Sequence, residues 1–297
     1  PAKVELDGRV YRSRAFTLTI VDASEAPKEE SSIFLDAKVS SLTPYVGEQV
    51  IFTWRLYRRV RLTGADASFP DFDSFSVEDI GEQKDFSTTL NGQRYDVTEI
   101  RKALFPLEAG EITLPGTSLT ADVMVEQKNQ RRGRNGSLFD DFFARGQAQR
   151  KILRTKPIVF QVKPLPAAPA GFSGLVGDFK INAQVSKRHL KVGESTTLTV
   201  SVSGTGNWKT IGEPDFPELT TFKIYSDRST ATESKSSQNR GGRKVFRKAL
   251  VPLQEGQHTI PKLSLSYFDT KSGDYRKKYT RSIALMISPS DEAEDLK

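Results

Sequence analysis

The chain has 297 residues, 36% of them hydrophobic and 27% charged, with a formal net charge of +7. That length and apolar share exclude a disordered chain and allow two or three domains. Cysteine is absent, which excludes disulfides, thiolate metal sites and a cysteine nucleophile together without fixing a compartment.

No stretch approaches the roughly 18 apolar residues of a membrane-spanning helix, the longest uninterrupted aliphatic run being IALMI at 283–287. No basic-then-apolar leader opens the chain, so any signal peptide is expected to have been removed or left out.

In chain order, Asp7-Gly8 is a hairpin signal. YRSRAFTLTI at 11–20 resembles LRTKPIVFQV at 153–162 and YTRSIALMIS at 279–288. Residues 1–21 therefore read as the closing hairpin of a preceding β-sandwich domain, and 22–32 as a polar linker. Next, Val50, Phe52, Trp54 and Leu56 alternate with Ile51, Thr53, Arg55 and Tyr57, the period of a half-buried strand, after turn residues Pro44 and Gly47. PDFDSFSVEDIGE at 70–82 gathers Asp71, Asp73, Glu78 and Asp79, oxygen donors of the kind calcium takes. The reading adopted is a solvated loop anchored by Phe72 and Phe75, because the related EPDFPELTTF at 213–222 keeps only part of the acidity.

RKALFPLEAGEITLP at 101–115 returns as RKALVPLQEGQHTIP at 247–261, with nine of fifteen positions identical and an offset of 146. LDAKVS at 35–40 returns as INAQVS at 181–186, and YVGEQVIFTWRLY at 45–57 as KVGESTTLTVSVS at 191–203, at the same offset. A period this long means two copies of a whole domain rather than a solenoid. Short alternating runs with turns every 8–12 residues, and no helical periodicity of 12 or more, predict an all-β chain of two sandwiches. They occupy 33–163 and 172–289, joined by a proline-rich linker at 164–171 that favours an elongated, rod-like tandem, with a tail at 290–297.

The copies differ in length. From Pro115 to Pro164 is 49 residues, against 28 from Pro261 to Pro289, so the first carries 21 extra. The insertion, 128–155, holds eight Lys or Arg against Asp140 and Asp141, a net of +6 that leaves +1 for the rest. At its centre, Ser137 is placed as an N-cap, and Leu138, Phe139, Phe142 and Phe143 form one face of a short predicted helix. That face either covers its own sandwich or docks a partner, with Arg131, Arg132 and Arg134 beside it, since aromatic and arginine side chains dominate contact hot spots.

Catalytic constellations are not found. His189 and His258 are the only histidines and sit in no elbow, zincin or ligand spacing. GTGN at 204–207 before Trp208 lacks the third glycine and helix of a phosphate loop, and reads as a tight turn carrying an aromatic that serves as core or as contact. No cofactor or metal site is read. One basic loop without groove-reading motifs gives no nucleic-acid binder, and attraction to acidic proteins or anionic surfaces fits better.

The VGE strand openings, the twice-occurring RKAL segment, LFDDFF at 138–143, and PLPAAPAGFSGLVGDF at 164–179 followed by GTGNW resemble the BatD, or oxygen-tolerance, family of bacterial envelope proteins across residues 1–289. The resemblance implies tandem immunoglobulin-like domains on the periplasmic side, a secretory signal, and a hydrophobic anchor beyond SPSDEAEDLK at 288–297, so that this chain is the ectodomain. The family's genes accompany von Willebrand A-domain membrane proteins and a MoxR-type ATPase. That implies such proteins as partners, and an assembly role in aerotolerance or envelope stress. No catalytic residue is known for the family, so none is carried over. The expectation is a non-enzymatic scaffold, with a glycan- or anionic-polymer-binding module as the alternative, its contacts supplied by the loop arginines and Trp208.

Overall fold

The computed structural model describes residues 3–6, 9–12, 31–125, 147–234 and 241–290. Residues 1–32 and 33–297 form two compact units. In the first, β1 (Lys3–Leu6) and β2 (Arg9–Arg12) pair antiparallel with Leu6 opposite Arg9, flanking Asp7-Gly8.

The second unit opens with a ten-strand sandwich whose elements follow its alternating apolar pattern: β3 (Ile33–Val39), β4 (Val50–Arg58), β5 (Leu62–Ser68), β6 (Phe75–Asp79), β7 (Lys84–Leu90), β8 (Gln93–Pro106), β9 (Gly110–Leu114), β10 (Ser118–Val125), β11 (Gln147–Arg154) and β12 (Ile158–Val162). One sheet runs β3-β4-β8 with β6 and β7 both along β8, and the other runs β5-β10-β11, continued past a break by β9-β12. Tyr45 adds a parallel bridge to Lys163. This is the immunoglobulin arrangement of an A-B-E-D sheet facing C-F-G. Even positions of β4 turn inward, so Val50, Phe52, Trp54 and Leu56 are buried together with Phe160. The Trp54 indole N–H donates to Thr117 Oγ1 at 3.0 Å, and Thr117 N–H donates in turn to Thr155 Oγ1 at 2.9 Å across the strand break.

The second sandwich is built from β13 (Leu175–Val185), β14 (His189–Lys191), β15 (Thr196–Gly206), β16 (Phe222–Ser226), β17 (Thr230–Ser234), β18 (Gly241–Pro252), β19 (Gly256–Ile260), β20 (Ser264–Asp269), β21 (Asp274–Tyr279) and β22 (Ile283–Ser288). Strands β4 and β15, and β9 and β19, start 146 residues apart. The break between β19 and β20 is bridged as in the first sandwich, with Leu263 N–H donating to Thr280 Oγ1 at 3.0 Å.

One element differs. Where β5 lies in the first sandwich, the second has a 3-10 turn at Trp208–Thr210 and an irregular run to 221. The edge of β20 is taken instead by the start of β13, with Leu175 and Val176 parallel to Tyr267 and Phe268. At the equivalent place in the first sandwich, Ala121 and Asp122 face Ala65 and Gly64 of β5. Strand β13 therefore belongs to both sheets of its sandwich.

Candidate functional site: the joint between the sandwiches

The VGE segments are turns with a built-in lock. Tyr45 N–H donates to Glu48 Oε2 at 2.8 Å while Glu48 N–H donates to the Tyr45 carbonyl at 3.0 Å, and Gly47 at φ +74° supplies the left-handed residue such a turn requires. Lys191 and Glu194 repeat this around Gly193.

The first of these turns meets the second sandwich. Tyr45 packs edge-on against the fully buried Phe268 at 4.8 Å, and Gly47 approaches Val176 so closely that an added Cβ would sit 3.4 Å from its methyl. Glu78 of β6 and Lys209 of the 3-10 turn form an ion pair at 3.3 Å across the same boundary. The linker is pinned rather than free. Tyr275 donates its hydroxyl proton to the Pro166 carbonyl at 2.8 Å, and Phe172 and Phe268 pack on the Tyr275 ring at 4.9 and 5.2 Å. A cleft of about 130 Å³ beside the contact is lined by Glu48, Gln49, Asp178, Asp269 and Lys271 among others. Burial pushes the Glu48 carboxyl above its ordinary value, against the pull of the Tyr45 amide and Lys163.

The glycines of GLVGDF and GTGNW explain how β13 crosses between sheets. A Cβ on Gly177 or Gly206 would collide with the backbone of Thr205 or Val176, and one on Gly204 with that of Asp178. Only glycine lets the strands come this close. Asn207 ties the crossing down, accepting from Val176 N–H at 2.8 Å and donating to the Gly174 carbonyl at 2.9 Å.

Trp208 is not a surface contact. It is only 5% exposed, belongs to the second core, and lies so close to β18 that a Cβ on Gly242 would strike its ring. The expectation of Trp208 as a binding aromatic is corrected accordingly: it plugs the space that β5 closes in the first sandwich. Arg131, Arg132, Arg134, Leu138, Phe139, Phe142 and Phe143 lie outside the described residues. Of the insertion, 147–154 forms β11, paired with β10, with Arg150 bonded to Asp122 at 3.2 Å and Ile152 exposed.

The remaining candidates disperse. Phe75 packs on Phe160 and Phe72 on Phe52, so the 70–82 loop is anchored by aromatics, while Asp79 pairs with Lys102 at 2.6 Å and Glu78 with Lys209. His258 packs on Phe222 at 5.4 Å, and His189 is exposed on β14. Among the described residues no group of three or more His, Asp or Glu is placed to hold a metal, and no helix is long and apolar enough to cross a membrane.

Sequence reasoning missed the inward lysines. Lys244 donates to the Ile211 carbonyl at 2.7 Å, and Lys248 pairs with Glu213 at 2.6 Å beneath the Phe216 ring, so both tie the irregular 211–216 run over the core. Alternation along β18 marks these positions as inward, but their charge argues for the surface; long side chains satisfy both.

Residues 183–287 match the family model described as the BatD DUF11 like domain. The match falls within the second sandwich. The match supports a BatD family assignment, and Asn207 and Trp208 lie within the matched residues while the crossing of β13 at Leu175 and Val176 precedes them. No curated protein matches the chain. Among solved structures it is similar to the Yersinia pseudotuberculosis adhesin InvE, at 11% identity and TM-score 0.19 over 87% of this chain. It is also similar to the mouse nectin-like molecule 4 ectodomain (Ig1-Ig3), at 10% identity and TM-score 0.20 over 86% of this chain. A third is the CupB6 tip adhesin of Pseudomonas aeruginosa, at 8% identity and TM-score 0.19 over 87% of this chain and 99% of that one. The chain spans 61% and 65% of the first two. Scores this low make the likeness one of strand-rich modules and nothing more.

Proposed function

We propose that the chain is the periplasmic ectodomain of a membrane-anchored, non-enzymatic scaffold, which recruits von Willebrand A-domain membrane proteins of a Bat/MoxR-type system acting in aerotolerance or envelope stress. The supporting observation is what the BatD motifs do: Gly177, Gly204, Gly206 and Asn207 fasten the strand crossing at Val176, the residue that Gly47 of the first sandwich meets at the joint. A chain whose distinctive residues brace the strand on which its other sandwich rests is suited to present faces and loops at fixed positions to partners.

The test is a pull-down from envelope extract with the purified chain as bait. Recovery of von Willebrand A-domain proteins supports the scaffold, and its reproducible absence, with the bait folded, contradicts it.

A further inference from the structure

The outward faces of the two equivalent sheets differ in how their charges are met. On the first sandwich, Arg55 reaches Glu99 at 2.7 Å and Lys38 reaches Asp36 at 2.9 Å, while Phe34 stacks on Tyr57 at 4.6 Å and meets Tyr95 edge-on at 5.4 Å. In the second, at the constant offset of 146, Glu99 becomes Val245 and Asp36 becomes Asn182, and the aromatic positions of Phe34 and Tyr57 become Lys180 and Ser203. The acids are gone, and cations stand in new places.

Lys180, Ser203 and Arg243 lie in register across β13, β15 and β18, which sets Lys180 and Arg243 about 10 Å apart. Arg247 follows Arg243 about 13 Å along β18. None of Lys180, Arg243 and Arg247 pairs with a carboxylate among the described residues. They line an open groove of about 690 Å³ with Ser203, Thr230 and Thr232, and its glycines, Gly204, Gly241 and Gly242, leave the floor bare. Asp178 and Glu233 border it near Gly241. Further along the same sheet, Tyr225 is half exposed with the Lys223 ammonium over its ring at 5.4 Å.

We propose that this face binds an anionic polysaccharide. The spaced cations take its carboxylates, the threonine and serine hydroxyls take its sugar hydroxyls, and Tyr225 offers a flat amphipathic surface to a ring. A single-stranded nucleic acid would call for aromatic platforms under successive bases, and this face has one. A protein partner would call for a desolvated apolar centre, and Val245 stands alone among polar neighbours on its row, with Ser201 and Thr230 in register beside it. The inference does not depend on the partner reading, since it requires no second protein.

The test uses the whole chain, with polygalacturonate as the charged probe, dextran as the neutral one and an oligodeoxythymidine as the competing polyanion. The parent is expected to bind polygalacturonate and not dextran, more weakly as salt rises. Arg243→Gln with Arg247→Gln should weaken binding about tenfold or more. So should Val245→Glu with Asn182→Asp, which restores the acids of the first sandwich. Both variants should keep the parent's melting temperature for the second sandwich, and Tyr225→Ala should weaken binding at high salt as well. Undiminished binding by the two folded double variants, equal retention of dextran, or tighter binding of the oligodeoxythymidine would each overturn the proposal.

Discussion

The rings of Tyr45 and Phe268 meet edge to face at 4.8 Å and 67°, so that the locked turn opening the first sandwich rests on the doubly used sheet edge of the second. The Lys163 ammonium also lies over the Tyr45 ring, 5.3 Å from its centre. Tyr45→Ala should therefore loosen the joint while leaving both cores whole. Limited proteolysis of the 164–171 linker is expected to speed up, with each sandwich's unfolding free energy changed by no more than about 1.5 kcal/mol, the range of an aromatic pair. An unchanged cleavage rate would mean that the pair does not hold the joint.

Trp54 is 2% exposed and packs on Phe69 at 5.5 Å in addition to its bond to Thr117. Trp54→Ala should cost about 3–5 kcal/mol and lower only the first sandwich's transition in urea unfolding. Trp54→Phe should cost less, because Thr117 keeps Thr155 as a partner.

For the second sandwich the sensitive positions are glycines. Gly177 sits at φ +143° against the Thr205 backbone, and Gly242 lies against the Trp208 ring. Gly177→Ala is expected to cost about 1–3 kcal/mol from backbone strain alone, and Gly242→Ala to displace Trp208. Both should lower the urea midpoint of the second sandwich and spare the first; two parental midpoints would show that the crossing tolerates a side chain.

Much of this was legible in the residues and some was not, for physical reasons. Alternation placed β4 and the burial of Trp54, because a half-buried strand writes its period locally. The RKAL repeat placed β8 and β18 with their hairpin turns in the same way. Trp208 was ambiguous because its burial depends on Gly242, on a strand distant in sequence, and on the absence of an equivalent of β5. Nothing in LVGDF announces a strand shared between two sheets, since the parallel pairing to Tyr267 and Phe268 is a long-range event. Linker prolines indicate an extended joint, but nothing in them announces the Tyr275 bond to Pro166 or the aromatic contact of Phe172, because Tyr275 lies over a hundred residues away in sequence from both.

Glu48 gives the joint a pH dependence of definite sign. Its carboxyl is raised in the fold, chiefly by burial, so its contribution to stability is full below the unfolded value of about 4.3 and is lost as pH rises through the higher folded value. Glu48→Gln, which keeps an acceptor for Tyr45 N–H without the charge, should remove this loss. The variant is then expected to gain on the parent as pH rises through that window, measured by urea unfolding of the first sandwich. Glu194 behaves oppositely: the Lys187 bond, then the Lys191 amide, hold its carboxyl low, so its contribution fades as pH falls. A Glu48→Gln difference that shrinks with rising pH would contradict the assignment.

The scaffold reading is tested most directly by measuring the affinity of a purified von Willebrand A-domain protein of the same system for the parent chain and for a variant lacking residues 129–146. The account predicts specific binding by the parent, loss or marked weakening when the deletion ends at residue 146 so that β11 and both sandwiches stay folded, and most of that loss reproduced by Phe142→Ala with Phe143→Ala. No measurable binding by the folded parent chain would contradict it.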